Sequence, residues 1–439
     1  MEISREGVSG SRRTHTKSDN IYLVVLILAF LSSCADSFAD EYHYKNILVG
    51  ERPAGLGGAY TALSDDPAGL FYNPAGIVHA TGANISASAN AYYGTSKHYD
   101  GVIGNHGWDR ESSALLPNFF GVIKPIAIGK VGFSYAITDS IIEDQDQVFL
   151  NPQNQITRLV INYNHEDMTT QFGPSYAVGL FSGLSAGATL YVHNRKSQEI
   201  LNQFINFENA QNEWLNTYIE KEEWGVRPLL GFMWSPEDLK YSIGLTLSHN
   251  YLLTSKEKAQ ALCKAVSFAN YQTPCSEVGS GYQSHGEDLY SLDVQSDKKR
   301  SYPYTINLGA AFFPSHSWLV AGDVSYYSET EDFLGKRRPL WNASLGTEYY
   351  LSEAIALRTG LFTSLANTYG IKRGVSDQDE HIDIYGGSLS ISYFTRGTSL
   401  TAGISYSAGT GEAQIVSGET DIQEVTSSSW MLFIGTTAF

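Results

Sequence analysis

Residues 341–353 read WNASLGTEYYLSE and contain one strand followed by one tight turn. In this stretch large side chains such as Trp341 and Leu345 alternate with small or polar ones. Alternation with a period of two and one apolar face is the pattern of a half-exposed β-strand. The turn that follows, Leu351–Glu353, is very short. The same unit of strand and connection recurs along residues 83–439, and this recurrence decides the fold.

Fourteen stretches of roughly 10–13 residues read as strands, and their connections alternate strictly between short and long. The short connections are Pro125–Gly129, Ser182–Leu184, Ser235–Asp238, Pro314–His316, Leu351–Glu353 and Thr395–Gly397. The long ones are 94–117, 140–167, 197–223, 251–301, 330–337, 367–381 and 409–427. A soluble sandwich has no reason to collect its long loops on one side, whereas an outer-membrane barrel does. We therefore predict an all-β protein, a 14-stranded antiparallel transmembrane β-barrel in the outer membrane of a Gram-negative bacterium.

The composition supports this fold and excludes other classes of protein. The chain has 29 Lys+Arg against 46 Asp+Glu and a net charge of −17, which argues against binding to nucleic acid. After residue 40 no apolar run is long enough for a helical membrane span. The chain is rich in tyrosine, phenylalanine and glycine, as expected for interfacial girdles and close backbone contacts in a barrel.

The first 39 residues have the pattern of an export signal. Basic residues precede a short apolar stretch, Ile21–Leu31. Ser37-Phe38-Ala39 is a small-x-small cleavage site before Asp40, and Leu31-Ser32-Ser33-Cys34 resembles a lipobox in which Cys34 would be acylated. Both outcomes remain open. We divide the chain into a signal peptide (1–39), an N-terminal plug (40–82) and the barrel (83–439).

The remaining cysteines, Cys263 and Cys275, lie in one long loop. An exported chain passes through an oxidising compartment, so we predict a disulfide between them. No Cys/His set has the spacing of a metal site, and the sequence implies no cofactor. Gly183–Gly187 matches G-x-S-x-G, but it falls between two strands rather than between strand and helix, so we predict that the protein is not an enzyme.

The segment before the first strand predicts a compact plug. Residues 52–77 read RPAGLGGAYTALSDDPAGLFYNPAGI, with an echo between Asp66-Pro67-Ala68-Gly69 and Asn73-Pro74-Ala75-Gly76. Each unit places an Asx residue at a helix N-cap and proline at the first helical position. Short helical turns rich in small residues are suited to fold back into a barrel.

At these residues the chain resembles the FadL/TodX family of outer-membrane transporters for hydrophobic compounds. The plug residues that carry the resemblance are Gly55, Gly57, Gly58, Asp65, Asp66, Asn73, Pro74, Ala75 and Gly76. The resemblance implies a fourteen-stranded barrel with an N-terminal hatch, and passive transport of a long-chain fatty acid or similar molecule. It also implies binding at outer loops and sideways diffusion through a wall opened by a kink in the third strand, here 129–139. PorV-like barrels have a similar opening segment, so a scaffold for protein secretion or surface attachment is the alternative.

Three sets of residues are candidate functional parts beyond the plug. We interpret loop 197–223 as an amphipathic helix that lines a ligand groove, or that merely packs on loop 251–301. Its apolar residues are Ile200, Leu201, Phe204, Ile205, Phe207, Trp214, Leu215 and Tyr218. Gly173-Pro174 would break a ladder and weaken a lateral gate beside the third strand, or would be a harmless bulge. Asp323, Glu348 and Arg358 have lumen-facing phase and are interpreted as a structural network or as plug anchors.

The predicted partners follow from the same reading. They are a hydrophobic small molecule or lipid, the lipids of the outer membrane, and the barrel-assembly machinery. The terminal Phe439 resembles the signal that this machinery recognises. We expect a monomer.

Overall fold

The computed structural model describes residues 42–82, 84–103, 106–153, 155–236, 240–268, 271–276, 279–415 and 420–439. The predicted signal peptide and Cys34 lie outside the described residues. Fourteen strands form the barrel wall. They are β1 (Asn84–Ile103), β2 (His106–Pro125), β3 (Lys130–Gln153), β4 (Ile156–Phe181), β5 (Leu184–Phe207), β6 (Asn212–Trp234), β7 (Tyr241–Ser248), β8 (Thr305–Ser315), β9 (Trp318–Tyr327), β10 (Leu340–Ser352), β11 (Ile355–Ser364), β12 (His381–Phe394), β13 (Thr398–Ala413) and β14 (Gln423–Ala438).

The sheet closes on itself. Each barrel strand is antiparallel to the next, and β14 pairs with β1 through contacts such as Tyr93↔Met431. The outward faces of the strands are apolar: Trp341, Leu345, Leu361, Leu389 and Leu400 are 55–63% exposed. A closed antiparallel barrel with an apolar outer face is the architecture of outer-membrane barrels. The predicted fold and location are therefore confirmed. Among the described residues, no helix has the length and apolarity needed to cross a membrane.

The predicted long loops differ from the structure, because much of their length is strand. β3 continues to Gln153, and β4 begins at Ile156. Likewise β5 continues to Phe207, and β6 begins at Asn212. The predicted strands have roughly 10–13 residues, about the length that crosses a membrane. A ladder continues beyond that length wherever both partner strands keep alternating inward and outward side chains. β4 reaches 26 residues, and the wall on this side therefore stands well above the membrane.

The wall has very unequal height. β3 to β6 have 23 to 26 residues, whereas β8, β9 and β11 have 10 or 11. Beside the tall strands, two further strands, Tyr251–Lys264 and Leu289–Ser296, extend the sheet from the outer half of β6. Cys263 and Cys275 form a disulfide in this extension. The outer rim is thus high at β1–β6 and low at β8–β11.

The segment before β1 folds inside the barrel. It contains helices α1 (Glu51–Gly55) and α2 (Gly69–Tyr72) and a 3₁₀ helix, Pro74–His79. The Asn73 side chain caps the 3₁₀ helix by accepting from the Ala75 N–H at 3.1 Å, and Asp66 accepts from the Ala68 N–H at 2.8 Å. These are the two Asx positions that the sequence marks as starts of helical turns.

Candidate functional site

The hatch, residues 42–80, is seated on glycines of the inner wall. Gly346 and Gly360 face each other across β10 and β11, and a Cβ atom on Gly360 would lie 2.1 Å from the Gly57 nitrogen. Gly57 itself has φ +63°, a conformation that disfavours other residues. On the opposite wall a Cβ on Gly231 would lie 2.1 Å from the Asn73 side-chain oxygen. Hatch and wall backbones are therefore in direct contact on two sides.

Buried ionic groups fasten the hatch to the wall. Glu348, on β10, accepts from the Arg52 Nε at 3.1 Å and also pairs with Arg358, on β11. Arg52 extends the network to Asp65 at 2.5 Å. The Glu348 carboxylate is fully buried, and while it is ionised it and its two arginines offset one another's cost of desolvation by the attraction of opposite charges.

Asp323 contacts the hatch at a second place, through hydrogen bonds to backbone N–H groups. Its Oδ2 accepts from the backbone N–H groups of Tyr60 and Thr61 at 2.8 and 2.9 Å. The Asn73 Nδ2 donates to the Thr61 and Phe232 carbonyls at 2.8 and 3.1 Å, which links the hatch to β6. Asp323, Glu348 and Arg358 therefore lie against the hatch, and no ion pair between Asp323 and Arg358 is present among the described residues; their role as plug anchors stays a prediction.

A cavity of about 270 Å³ lies above the hatch. Hatch residues 43–47 and inward-facing side chains of β3–β9 line it, together with outer segments on the low side of the rim. This volume is near the lower end of typical small-molecule pockets. The cavity is therefore large enough to hold part of a ligand between the hatch and the outer half of the barrel.

Two of the cations that line this cavity are Lys45, which is attracted by the Asp323 carboxylate, and Arg227, which has no acidic partner among the described residues. The Arg227 guanidinium donates to the Gln171 Oε1 at 2.8 Å and to the Ser248 Oγ at 3.2 Å. Lys45, on the hatch, donates to the Ser344 Oγ at 2.6 Å and to the Gly57 carbonyl at 3.3 Å. A cation held only by neutral oxygens is poorly compensated in a protein interior. Arg227 is therefore a poorly compensated cation of the cavity, although Asp139, Asp323 and Asp332 also line it.

The axial route above the cavity is closed by an apolar cluster that we call the roof. It is built from inward-facing side chains near the outer ends of β1–β5 and β12–β14 and from Val266. Its buried members are Tyr99, Val102, Trp108, Phe149, Ile156, Leu159, Ile161, Tyr163, Leu201, Ile205, Phe207, Val266, Ile382, Ala413 and Val425. Buried ion pairs, including Arg195–Asp167 at 2.6 Å, lie along the strands between the roof and the cavity.

The predicted helix in 197–223 is wrong. These residues belong to β5 and β6, where Leu201, Ile205 and Phe207 join the roof and Leu215 packs beside the disulfide. Ile200, Phe204, Trp214 and Tyr218 are on the opposite face, where Phe204 is 39% exposed. The i, i+4 spacing that suggested a helix is also a strand spacing, and a continuous partner strand decides between them. The groove role of these eight residues stays a prediction.

The barrel wall is interrupted between β2 and β3. The two strands pair at Ser112↔Glu143 and again at Phe119↔Ala136, with no ladder pair for 113–118 against 137–142. Bulges on both outer neighbours flank this stretch, two in the β1–β2 ladder and one in the β3–β4 ladder. Bulges bend and twist strands, which accounts for the separation. Leu115, at the outer surface of the interruption, is 74% exposed.

Apolar side chains of the hatch and wall meet behind this interruption, in what we call the exit cluster. Its buried members are Ile47, Leu48, Ala54, Tyr93, Leu116, Ile137, Met431 and Phe433. Asn118 holds the hatch here, because it accepts from the Gly50 N–H at 2.6 Å and donates to the Leu48 carbonyl at 3.0 Å. The cavity reaches Ile47 and Thr138, so it adjoins the exit cluster.

Gly173 and Pro174, which we predict to weaken a lateral gate, lie in β4. They pair with Ser134 and Phe133 in a continuous ladder, and the missing pairs are on the β5 side. Proline has no N–H to donate, and the break on the β5 side is consistent with that missing donor facing β5. The third strand is nevertheless the one beside the interruption, on its β2 side. A gating role for Gly173 and Pro174 stays a prediction.

Comparison with solved structures identifies the architecture. The chain is similar to a Pseudomonas aeruginosa FadL homologue, with 13% identity over 90% of this chain and 99% of that chain and a TM-score of 0.61. It is also similar to the P. putida toluene transporter TodX, with 14% identity, the same two coverages and a TM-score of 0.61. The chain has the fold of the FadL/TodX channels. The Ralstonia pickettii toluene transporter TbuX is a further similar structure, with 12% identity over 90% and 99% of the two chains and a TM-score of 0.58.

No protein-family model and no curated protein sequence matches the chain. The similar structures above are described as transporters or as a FadL homologue, not as enzymes. Among the described residues of this FadL-type barrel, no group of three or more His, Cys, Asp or Glu side chains is placed to hold a metal ion.

Sequence reasoning missed one residue that holds the hatch and two cations that line the cavity of this FadL-type barrel. Asn118, Lys45 and Arg227 were not singled out, although two local signals were present. Asn118 follows a proline inside a strand, and Arg227 precedes one. A proline within a strand is a reason to examine the polar residues next to it, because the ladder must change there.

Proposed function

We propose that this barrel is a passive outer-membrane channel for hydrophobic molecules. Cargo binds in the cavity above the hatch, moves over the exit cluster and diffuses sideways into the membrane between β2 and β3. The observation that supports this most directly is the interrupted β2–β3 ladder, backed by an apolar cluster that adjoins the cavity. An apolar molecule would leave through such a gap without meeting a polar pore.

The closed axial route supports the same conclusion. The roof fills the outer half of the lumen with apolar side chains, and the hatch occupies the periplasmic half. Water-soluble cargo would need an axial aqueous passage, as in a porin. Hydrophobic cargo needs only a cavity with a lateral way out.

Within this class we propose a cargo with a carboxylate head, such as a long-chain fatty acid. Arg227 and Lys45 offer charged donors to the cavity, and Arg227 has no acidic partner among the described residues. A carboxylate would compensate Arg227, whereas toluene, which the similar TodX and TbuX structures are described as transporting, would leave it unpaired.

Replacing the Arg227 guanidinium should separate these two kinds of cargo. We expect Arg227→Met to weaken binding of a long-chain fatty acid by about 10- to 100-fold, because a hydrogen bond to a charged group contributes about 1.5–3 kcal/mol. Binding of an uncharged hydrocarbon should be unchanged. Fluorescent fatty-acid titration of the purified barrel measures the first, and competition by toluene measures the second.

Arg158→Met is the matched control, because Arg158 is exposed on the outer part of β4. Equal loss of affinity in both variants would contradict the assignment of the carboxylate site to Arg227.

The decisive test of the channel is uptake of a labelled long-chain fatty acid by cells that lack their own FadL-type transporter. Cells with this protein in the outer membrane should take up label, and cells without it should not. A folded, surface-exposed barrel that gives no uptake of fatty acid or hydrocarbon would overturn the proposal. Capture of exported proteins by the same barrel would then favour a secretion scaffold.

A further inference from the structure

One side of the cavity is closed by a single layer of irregular chain. Residues 297–304, which we call the strap, join strand Leu289–Ser296 to β8 and form neither helix nor strand. Arg300, Tyr302 and Pro303 line the cavity. Their neighbours in the strap, such as Lys299 and Tyr304, are exposed. The strap is therefore the wall between the cavity and the outside on the low side of the rim.

The inner face of the strap is held largely at one carboxylate. Glu223, buried on β6, lies 3.3 Å from the Arg300 Nε through its Oε1. Its Oε2 accepts from the Tyr302 hydroxyl at 3.1 Å. The same hydroxyl lies 3.3 Å from the His193 Nε2. Two side chains of the strap thus converge on Glu223, which we call the latch.

Separate contacts, rather than a strand ladder, hold the rest of the strap, and they include the His249 ring stacked on Tyr304 with 4.1 Å between ring centroids and Lys298 over the Phe333 ring. On its outer side the Ser301 N–H donates to Asp332, on the hairpin at 330–337, at 2.7 Å, and Lys299 donates to the Leu253 carbonyl at 2.6 Å. At its end Tyr304 and Ser328 exchange two hydrogen bonds, which fix the point where β8 begins. A segment held by a few separate contacts opens at lower free energy than a strand in a continuous ladder.

Exposed apolar side chains surround the strap, which suits a hydrophobic cargo molecule. Leu253, Tyr304 and Phe333 are 59%, 58% and 45% exposed around it. The axial route is filled by the roof, and the hatch lies below the cavity. The strap is therefore a part of the cavity's outer boundary that lies outside any strand ladder.

We propose that the strap is the gate through which cargo enters the cavity from the outer side, and that Glu223 is the latch that keeps it shut. This inference rests on the proposed channel function, because it supplies the entrance for the same cavity. Opening breaks the contacts of Arg300 and Tyr302 with Glu223 while the Tyr304–Ser328 bonds act as the hinge. Cargo then passes beneath the strap toward Arg227.

Cysteine labelling tests the gate without requiring transport. Ser325→Cys places a thiol in the cavity, and a Cys34→Ser background leaves only the Cys263–Cys275 disulfide as native cysteine. In the folded barrel we expect slow reaction with a membrane-impermeant thiosulfonate. Adding Tyr302→Phe removes the hydroxyl that bonds Glu223 and His193, and should raise the labelling rate about tenfold. Glu223→Gln should raise it as well.

Tyr393→Phe is the matched control, because it makes the same change at an exposed tyrosine of β12, away from the strap and from position 325. Labelling that is indifferent to Tyr302→Phe and Glu223→Gln in folded barrels would overturn the gate. Fatty-acid uptake by the wild type together with such indifference would leave the channel standing and remove only this entrance. Latch-dependent labelling with no uptake of any hydrophobic probe would keep the gate and overturn the channel.

A cross-link gives a second, independent readout. Ser301→Cys with Asp332→Cys joins the strap to the hairpin where their hydrogen bond now lies. Oxidised cells should lose most uptake, and mild reduction should restore it. The Ser301→Cys variant alone, treated in the same way, controls for reduction of the native disulfide. Full uptake by a barrel shown to be cross-linked would also overturn the gate.

Discussion

Leu116→Trp should reduce fatty-acid uptake by roughly 5- to 100-fold while the barrel still assembles. Leu116 belongs to the exit cluster and is buried behind the β2–β3 interruption, so a larger side chain would occupy the proposed passage. Overpacking of a filled apolar site typically costs about 1–3 kcal/mol. Cargo that must displace the indole would meet an additional barrier of about 1–3 kcal/mol. A barrier of this size lowers the uptake rate by roughly 5- to 100-fold. Uptake rates normalised to the amount of folded barrel measure this effect.

Two comparison variants show whether the effect is local. Leu319→Trp enlarges an equally buried residue of β9, on the far side of the hatch from the interruption, and should leave uptake near the wild-type rate. Pro174→Val restores a backbone donor on the β5 side of β4. If the exit is between β2 and β3, Pro174→Val has little effect on transport. Equal loss in Leu116→Trp and Leu319→Trp would contradict the β2–β3 exit.

Glu348→Gln should release the hatch from the wall. The substitution leaves the Arg52 and Arg358 guanidinium groups buried beside a neutral amide, and removing one partner of a buried ion pair typically costs about 3–5 kcal/mol. We expect amide hydrogen exchange within hatch residues 47–60 to accelerate by roughly 10²–10³-fold, because local opening reports the lost free energy directly. Single-channel conductance in planar bilayers should rise as the lumen loses its plug.

Glu353→Gln is the control for the change of charge. Glu353 is exposed in the short turn after β10 and should have hatch exchange and conductance like the wild type. A double variant, Arg358→Met with Glu348→Gln, removes the cation that loses its carboxylate partner, since Arg52 keeps Asp65, and should recover part of the protection. Wild-type exchange in Glu348→Gln would show that hatch docking rests on the glycine contacts and on Asp323 instead.

The sequence predicted the barrel and the hatch because their signals are local. Alternating side chains and turn lengths are read within a few residues, as in 341–353, and fourteen such strands were found where the structure has them. The Asx positions Asp66 and Asn73 likewise form caps with neighbours two residues away. The same local rule failed in 197–223, where apolar residues suited either a helix or a strand and only the partner strands distinguished them.

The sequence by itself determined the strand count, the closed antiparallel wall and the inward-folding N-terminal segment, because period-two patterning and cap chemistry act over short range. Tertiary structure alone decided where this wall is open and what the lumen contains. The β2–β3 interruption comes from bulges in two neighbouring ladders, and the roof from side chains of distant strands. Arg227 lacks an acidic partner among the described residues because of what surrounds it in space. Its own stretch of sequence could not reveal this, because the compensation of a buried charge depends on groups that are brought together only when the chain folds.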